Sequence, residues 1–261
     1  MTYGDYEKAR GLAEKAYHTA QAAKADNNEV ALCMIDLGTV YSNLNMLSEA
    51  AKYLESGAAL QKQALFDTHP YVAHTYRMLS EVQRRDGQLE KAEQTLSSAV
   101  KIMLENCDLQ SNEMSPFILE SAKLYTAKGD FKKADENYQI ALDMVQQTHG
   151  QSHLLTANVL ESMAECNFLQ HEYDKADEYI SAAMAIENKL FGRYNPVLVD
   201  TWLAKARICR AMGKIDRSEY YLSKVTASVE KSKNVITLAQ VYEKVNQIRN
   251  EKLYAAAVNL K

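Results

Sequence analysis

The chain has few residues that interrupt helices. It contains 3 prolines and 9 glycines in 261 residues, whereas 47% of its residues are hydrophobic and 25% are charged. Its abundant residues, among them Ala, Leu, Glu, Lys and Gln, lose little side-chain freedom on a helical backbone. The composition lies in the range of globular proteins and favours an all-α fold.

An excess of positive charge is also missing. The chain has 30 Lys and Arg residues and 34 Asp and Glu residues, which give a formal net charge of −4, with both signs interspersed. Binding along a nucleic acid requires a field of cations that neutralises many phosphates. We therefore expect no nucleic acid among the partners.

Long apolar runs and paired cysteines are absent as well. No apolar run approaches the roughly 20 residues that cross a bilayer, and Asp5, Glu7 and Glu14 lie where a signal peptide would have its apolar core. The 4 cysteines lie far apart without a CxxC pair, which is typical of a reducing compartment. These features predict a cytoplasmic protein without a membrane partner.

What the chain does have is a repeat of about 42 residues. A small residue that follows a charged one recurs in steps of 41, 42, 42, 42 and 42, at Ala9, Ala50, Ala92, Ala134, Ala176 and Ser218. A fixed period of about 20 to 50 residues is the signature of a repeat architecture. Apolar residues at helical spacing within each period predict two antiparallel helices per repeat.

A residue that we expect to form a turn recurs with the same period. The position is taken by residues that tolerate a positive φ, namely Gly4, Asn45, Gly87, Gly129, His171 and Gly213. We expect each of them to end the first helix of its repeat in a left-handed conformation, where a Cβ usually clashes.

These residues resemble the tetratricopeptide repeat. Leu37-Gly38-x-x-Tyr41 is followed by Ala50-x-x-x-Leu54, and Trp202 by Ser218-x-x-x-Leu222. The 42-residue period, with His-Pro or Asn-Pro linkers at Pro70 and Pro196, resembles the kinesin-light-chain-like subtype. The resemblance covers nearly the whole chain, and it implies an all-α, right-handed α-α superhelix of antiparallel helix pairs.

The phase predicts three segments. Residues 1–30 form an N-terminal half-repeat or cap, residues 31–230 form five repeats of about 42 residues, and residues 231–261 form a C-terminal capping helix and tail. Starting within a repeat suits either a fragment of a longer protein or a cap, because terminal repeats of such arrays are atypical.

The resemblance also implies a binding site, because the first helix of each pair lines the concave groove of such a superhelix. The groove-facing candidates are Thr39, Asn43, Arg77, Glu81, Arg84, Lys123, Glu161, Glu165 and Arg207. Arg77, Arg84 and Lys123 form a possible basic patch for a peptide carboxylate or acidic side chains. We favour the alternative that Arg77 and Glu81, four residues apart, pair with each other on a solvated face.

Signatures of catalysis are lacking. Glu161 and Glu165 lie one helical turn apart, but no HExxH-like set, glycine-rich phosphate loop or GxSxG elbow accompanies them. We therefore favour the interpretation that they bind a basic residue of a partner. Four histidines are expected to cap or pack near the linkers rather than to bind metal, namely His69, His74, His149 and His153. We expect no enzyme activity, no cofactor and no metal.

The sequence thus predicts a protein-protein interaction scaffold that binds a peptide or a partner protein in its groove. Two alternatives stay open. One is a regulatory or targeting module of a larger enzyme or sensor, and the other is an array that self-associates through its end repeats.

Overall fold

The computed structural model describes residues 3–192, 195–231 and 235–251, and these form helices and turns without a strand. Two short 3₁₀ turns, Asn112–Met114 and Pro196–Leu198, lie directly before the helices that begin at Ser115 and Val199. The helices are α1 (Tyr3–Ala22), α2 (Asn27–Asn43), α3 (Leu47–Leu65), α4 (Pro70–Arg85), α5 (Leu89–Asn106), α6 (Ser115–Lys128), α7 (Phe131–His149), α8 (Leu154–Leu169), α9 (Tyr173–Phe191), α10 (Val199–Ala211), α11 (Ile215–Lys231) and α12 (Val235–Asn250).

The chain divides into two compact units. One consists of Asp5–Ala141, and the other contains the described residues from Leu142 onward. In the first unit α2 packs on α3 and α4 on α5, and in the second α8 packs on α9 and α10 on α11. Because the turns within these pairs are short, the two helices of each pair run antiparallel. The division into residues 1–30, 31–230 and 231–261 stays a prediction, and residues 252–261 lie outside the described part.

The left-handed turns are confirmed at five of the six positions. Their φ angles are 61° at Asn45, 78° at Gly87, 76° at Gly129, 63° at His171 and 74° at Gly213. The sixth residue lies differently, because Gly4 is within the first turn of α1.

Hydrogen bonds at these turns satisfy the last carbonyl groups of the preceding helix. After α4, the N–H of Gly87 donates to the carbonyl of Arg84 at 3.1 Å, and the N–H of Gln88 donates to the carbonyl of Gln83 at 2.8 Å. This pattern ends a helix within one residue and lets the chain reverse.

The small residues of the repeat lie where the helices of a pair approach closely. Ala50, Ala92, Ala134, Ala176 and Ser218 all have an exposed fraction of 0%. Gly38 shows how tight the packing is between α2 and α3, since a Cβ added there would lie 2.7 Å from Cγ of Leu54.

Ser218 carries a hydroxyl where the other repeats have a methyl group. Its Oγ is buried and has no hydrogen-bond partner among the described residues. We expect Ser218→Ala to raise the free energy of unfolding by about 1 kcal/mol, because a buried hydroxyl without a partner costs about 1–3 kcal/mol. Urea denaturation followed by circular dichroism measures the change.

Ser80 provides the control for this substitution. It is equally buried, but its Oγ donates to the carbonyl oxygen of Ala92 at 2.8 Å. Ser80→Ala should therefore lower the stability, by about 1 kcal/mol. A lower or unchanged stability of Ser218→Ala would contradict the assignment.

Side-chain caps begin the helices that follow the linkers, again in steps of 42 residues. The capping residues, each accepting a backbone N–H two residues ahead, are His69, Ser111, His153 and Asn195. The expected structural role of the histidines is confirmed. His69 and His153 cap, the His74 ring centroid lies 5.1 Å from that of Phe117, and that of His149 lies 4.6 Å from that of His153.

Candidate functional site

The predicted groove residues all lie on the first helices of the pairs. Thr39 and Asn43 lie on α2, and both side chains are bonded to their own helix. The Oγ1 of Thr39 donates to the carbonyl of Ile35 at 2.8 Å, and Nδ2 of Asn43 donates to the carbonyl of Thr39 at 3.0 Å.

Arg84 of α4 is bound to a carboxylate of α6. Its Nε donates to Oε1 of Glu120 at 2.7 Å, and the side chain of Glu120 is only 2% exposed. Lys123 lies one turn further along α6 and is half-buried. Sequence reasoning placed Arg84 and Lys123 at groove positions but missed the pairing of Arg84 with Glu120.

Arg77 and Glu81 pair with each other, as the favoured alternative predicted. Nη1 of Arg77 lies 3.8 Å from Oε2 of Glu81. Two of the three cations of the possible basic patch are therefore already matched by carboxylates, which weakens this face as a site for an acidic peptide.

The second unit brings three of the predicted residues together. Glu161 and Glu165 of α8 and Arg207 of α10 line a cleft of about 200 Å³. Asp200 and Thr201 of α10 also line it, and its apolar walls include Phe168 and Ile180. We call this space the α8–α10 cleft.

Arg207 lies across one wall of the α8–α10 cleft. Its guanidinium carbon lies 4.3 Å from the centroid of the Phe168 ring, and its Nη1 lies 3.3 Å from Oε1 of Glu165. This arrangement combines a cation–π contact with an ion pair. The wall therefore already shows how the cleft can hold a cationic, planar group.

At the floor of the cleft, which Glu161 and Thr201 line, these two side chains meet Glu187 of α9, which does not itself line the cleft. Oγ1 of Thr201 lies 2.7 Å from Oε1 of Glu161 and 2.6 Å from Oε2 of Glu187, which is 4% exposed. The pKa of Glu187 is raised to about 7, mainly by burial; the hydrogen bond from Thr201 lowers it, and the negative charges of Glu161 and Asp200 raise it. We call these three side chains the Thr201 bridge.

Sequence reasoning missed Glu187 because it lies on a second helix, outside the predicted groove positions. A signal was available, since the same position of the period holds Gln61, Met103 and Val145 in earlier repeats. A carboxyl group at a buried position of the period departs from that pattern.

The α8–α10 cleft has a size and chemistry that could accommodate a side chain. Its size admits a single side chain, and its carboxylates and apolar walls suit one with an aliphatic stem and a positive charge.

Among the residues that the structure describes, no group of three or more His, Cys, Asp or Glu is arranged to hold a metal ion. None of the described helices is long and apolar enough to cross a membrane.

The family model of the tetratricopeptide repeat matches residues 117–186 and 156–231. Among curated relatives, Protein KINESIN LIGHT CHAIN-RELATED 1 of Arabidopsis thaliana is 24% identical over 220 residues, which cover 84% of this chain and 36% of the relative. The chain thus spans about a third of the length of this relative.

Solved structures share the fold. BtubC (BKLC) from P. vanneervenii has a TM-score of 0.64 at 19% identity, covering 87% of this chain and 92% of that one. NprR in complex with its cognate peptide NprX has a TM-score of 0.70 at 14% identity, covering 94% of this chain and 68% of that one. The predicted fold class, an all-α solenoid of the tetratricopeptide type, is confirmed.

Proposed function

We propose that this chain, a tetratricopeptide repeat protein similar to kinesin light chain-related proteins, is a non-catalytic scaffold for a peptide or a partner protein. The groove-facing sides of its first helices provide the binding surface in this proposal. The observation that carries it is the α8–α10 cleft, where Glu161, Glu165 and Arg207 meet around a space of side-chain size.

Charge and shape support a peptide ligand with a basic residue. The cleft combines carboxylates with the Phe168 ring, and Arg207 already uses this combination through Glu165. The structural similarity to NprR, which was solved with its cognate peptide, supports a peptide as the kind of ligand. A cytoplasmic location belongs to the same proposal.

The two alternatives make different demands on the chain. A regulatory or targeting module would act as part of a larger protein, which suits a relative of which this chain matches only 36%. A self-associating array would show a mass that rises with concentration in analytical ultracentrifugation. Neither alternative explains why three predicted groove residues line a single cleft.

Selection from a random peptide library, followed by calorimetry, tests the proposal. Glu165→Lys should weaken binding of the selected peptides at least about 10-fold, which corresponds to about 1.4 kcal/mol, because a cation then faces the basic residue of the peptide. Glu165 is exposed enough, at 50%, to tolerate the change.

Lys175→Glu is the matched control, since Lys175 lies on α9 with a side chain that is 61% exposed and outside the cleft. Circular dichroism checks that both variants are folded. Equal affinities of the wild type and Glu165→Lys would show that the α8–α10 cleft does not bind the peptide.

A further inference from the structure

The Thr201 bridge contains one more acceptor than a hydroxyl can serve. Oγ1 of Thr201 lies within hydrogen-bond distance of Glu161, at 2.7 Å, and of Glu187, at 2.6 Å. A hydroxyl carries one proton and can donate to one of these carboxyl groups. The other contact becomes a hydrogen bond only when that carboxyl group carries a proton and donates it to Oγ1.

The first unit holds a neutral counterpart of this bridge. Oγ1 of Thr75 donates to Oε1 of Gln61 at 2.7 Å. Thr75 precedes Thr201 by 126 residues, or three periods, and Gln61 precedes Glu187 by the same number. Gln61 is 2% exposed. The repeat therefore accepts a neutral side chain at the buried position that Gln61 and Glu187 share, and Glu187 is neutral there only when its carboxyl group is protonated.

Glu161 has no ionisable counterpart in the first unit. The residue 126 positions earlier is Ile35, so the corresponding position of the period holds an aliphatic side chain. The second unit has instead placed two carboxyl groups on one hydroxyl, and two carboxyl groups that share a site resist ionising together.

We propose that Glu161, Thr201 and Glu187 form a proton-sensitive switch in the floor of the α8–α10 cleft. In its closed state one proton, held between the two carboxyl groups and the hydroxyl, joins the three side chains. When this proton passes to solvent water, two carboxylates remain, only one of them can accept from Thr201, and they repel each other. The floor of the cleft then opens and carries an additional negative charge.

The surroundings place this change near neutral pH. The charged groups that contribute most to raising the pKa of Glu187 are Glu161 on α8 and Asp200 on α10, and the 3₁₀ turn Pro196–Leu198 has no ionisable side chain. Asp200 is itself 3.5 Å from Nζ of Lys244 and is 86% exposed, so its influence is weakened by solvent. The buried carboxyl group with a raised pKa, about 7, is Glu187.

The switch is a property of the folded chain and does not require the proposed function. The switch would affect the binding of a ligand with a basic residue, because it changes the charge of the cleft floor. The two ideas fail separately, because protonation is measured on the chain alone, without any peptide.

Carbon-13 NMR of the full chain, labelled at the glutamate carboxyl groups, tests the switch. One resonance should titrate with a midpoint near pH 7, and it should be missing in Glu187→Gln, which installs the side chain that Gln61 provides in the first unit. A midpoint of the Glu187 resonance below about pH 5.5 would overturn the proposal, because ordinary glutamates titrate near 4.3.

Fluorescence of Trp202 reports the opening of the bridge. Trp202 follows Thr201 and is the single tryptophan of the chain. Its emission should change with the same midpoint in the wild type and in Glu165→Gln, a neighbouring cleft variant outside the bridge, and should stay constant in Glu187→Gln. A transition that persists in Glu187→Gln would assign it to another group.

Glu161→Gln separates a shared proton from simple burial. Removing the second carboxylate should lower the midpoint of Glu187 by about one pH unit or more. An unchanged midpoint would show that Glu187 titrates alone, and the switch as a pair would be wrong.

Stability gives a third readout with a definite sign. The folded chain binds the proton on Glu187 more tightly than the unfolded chain, whose glutamate has a pKa of 4.5. This contribution to stability is therefore complete below about pH 4.5 and is lost as the pH rises to about 7. The urea midpoint of the wild type should fall relative to that of Glu187→Gln across this interval, and parallel curves would contradict the switch.

Discussion

Replacing Arg84 by methionine is expected to lower the free energy of unfolding by about 3–5 kcal/mol. The guanidinium group of Arg84 is the cation that pairs with Glu120, at 2.7 Å, and the Glu120 side chain is 2% exposed. Without Arg84 a carboxylate stays buried without its partner, and its loss of hydration is no longer offset. Urea denaturation followed by circular dichroism measures the loss.

The neighbouring arginine is the control. Arg85 is exposed, and its hydrogen bonds to Ser42 and Asn45 lie at the surface. Arg85→Met should therefore cost less than about 1 kcal/mol. If both substitutions cost the same, the buried pair is not what stabilises this part of the first unit.

A double substitution distinguishes a lost pair from lost packing. Arg84→Met combined with Glu120→Leu removes both charges and keeps the buried volume, so most of the stability lost in the single variant should return. A double variant that is no more stable than Arg84→Met would show that the cost comes from side-chain packing.

This result bears on how the groove can be studied. Arg84 occupies a predicted groove position, and a variant that unfolds would also lose every partner. Loss of binding on changing Arg84 would therefore say nothing about recognition, whereas the exposed Glu165 leaves the core intact.

Trp202→Ala is the second substitution with a large expected effect, a loss of about 3–5 kcal/mol. Trp202 is 1% exposed and lies in a core that includes Leu198 of the 3₁₀ turn, Leu222 of α11 and Val245 of α12. Truncation leaves a cavity that these three elements can close only by shifting towards one another. Circular dichroism follows unfolding, since the variant has no tryptophan.

The control for Trp202 is another aromatic residue of the same unit. Tyr220 is 54% exposed, and Tyr220→Ala should change the stability by less than about 1 kcal/mol. Trp202→Phe should lose less than Trp202→Ala because it keeps part of the buried volume. If alanine and phenylalanine cost the same, cavity formation is not the cause.

Much of the fold could be predicted because the same turn residues and small buried residues recur at fixed positions of each repeat. A single asparagine or histidine does not predict a positive φ, but Asn45 and His171 share a phase with three glycines, and all five residues adopt it. The buried alanines follow the same logic, since a helix pair that approaches closely at one repeat does so at the others.

The candidate site could be predicted only in part. The phase placed Glu161, Glu165 and Arg207 on one face, and the α8–α10 cleft brings them together. The phase did not predict the ion pair between Arg84 and Glu120, because this pair depends on how far the two side chains reach across neighbouring helices. It also missed Glu187, which comes from a second helix and enters the cleft floor through Thr201.

The sequence by itself determined the helix pairs, their turns and the small residues between them, because these follow from backbone conformation and from apolar periodicity along one chain segment. Only the tertiary structure decided which charges are paired, which are buried and which carboxyl groups meet at one hydroxyl. Those properties depend on distances between side chains far apart in the sequence and on how much water each has lost, and a change of one ångström or one neighbour alters both.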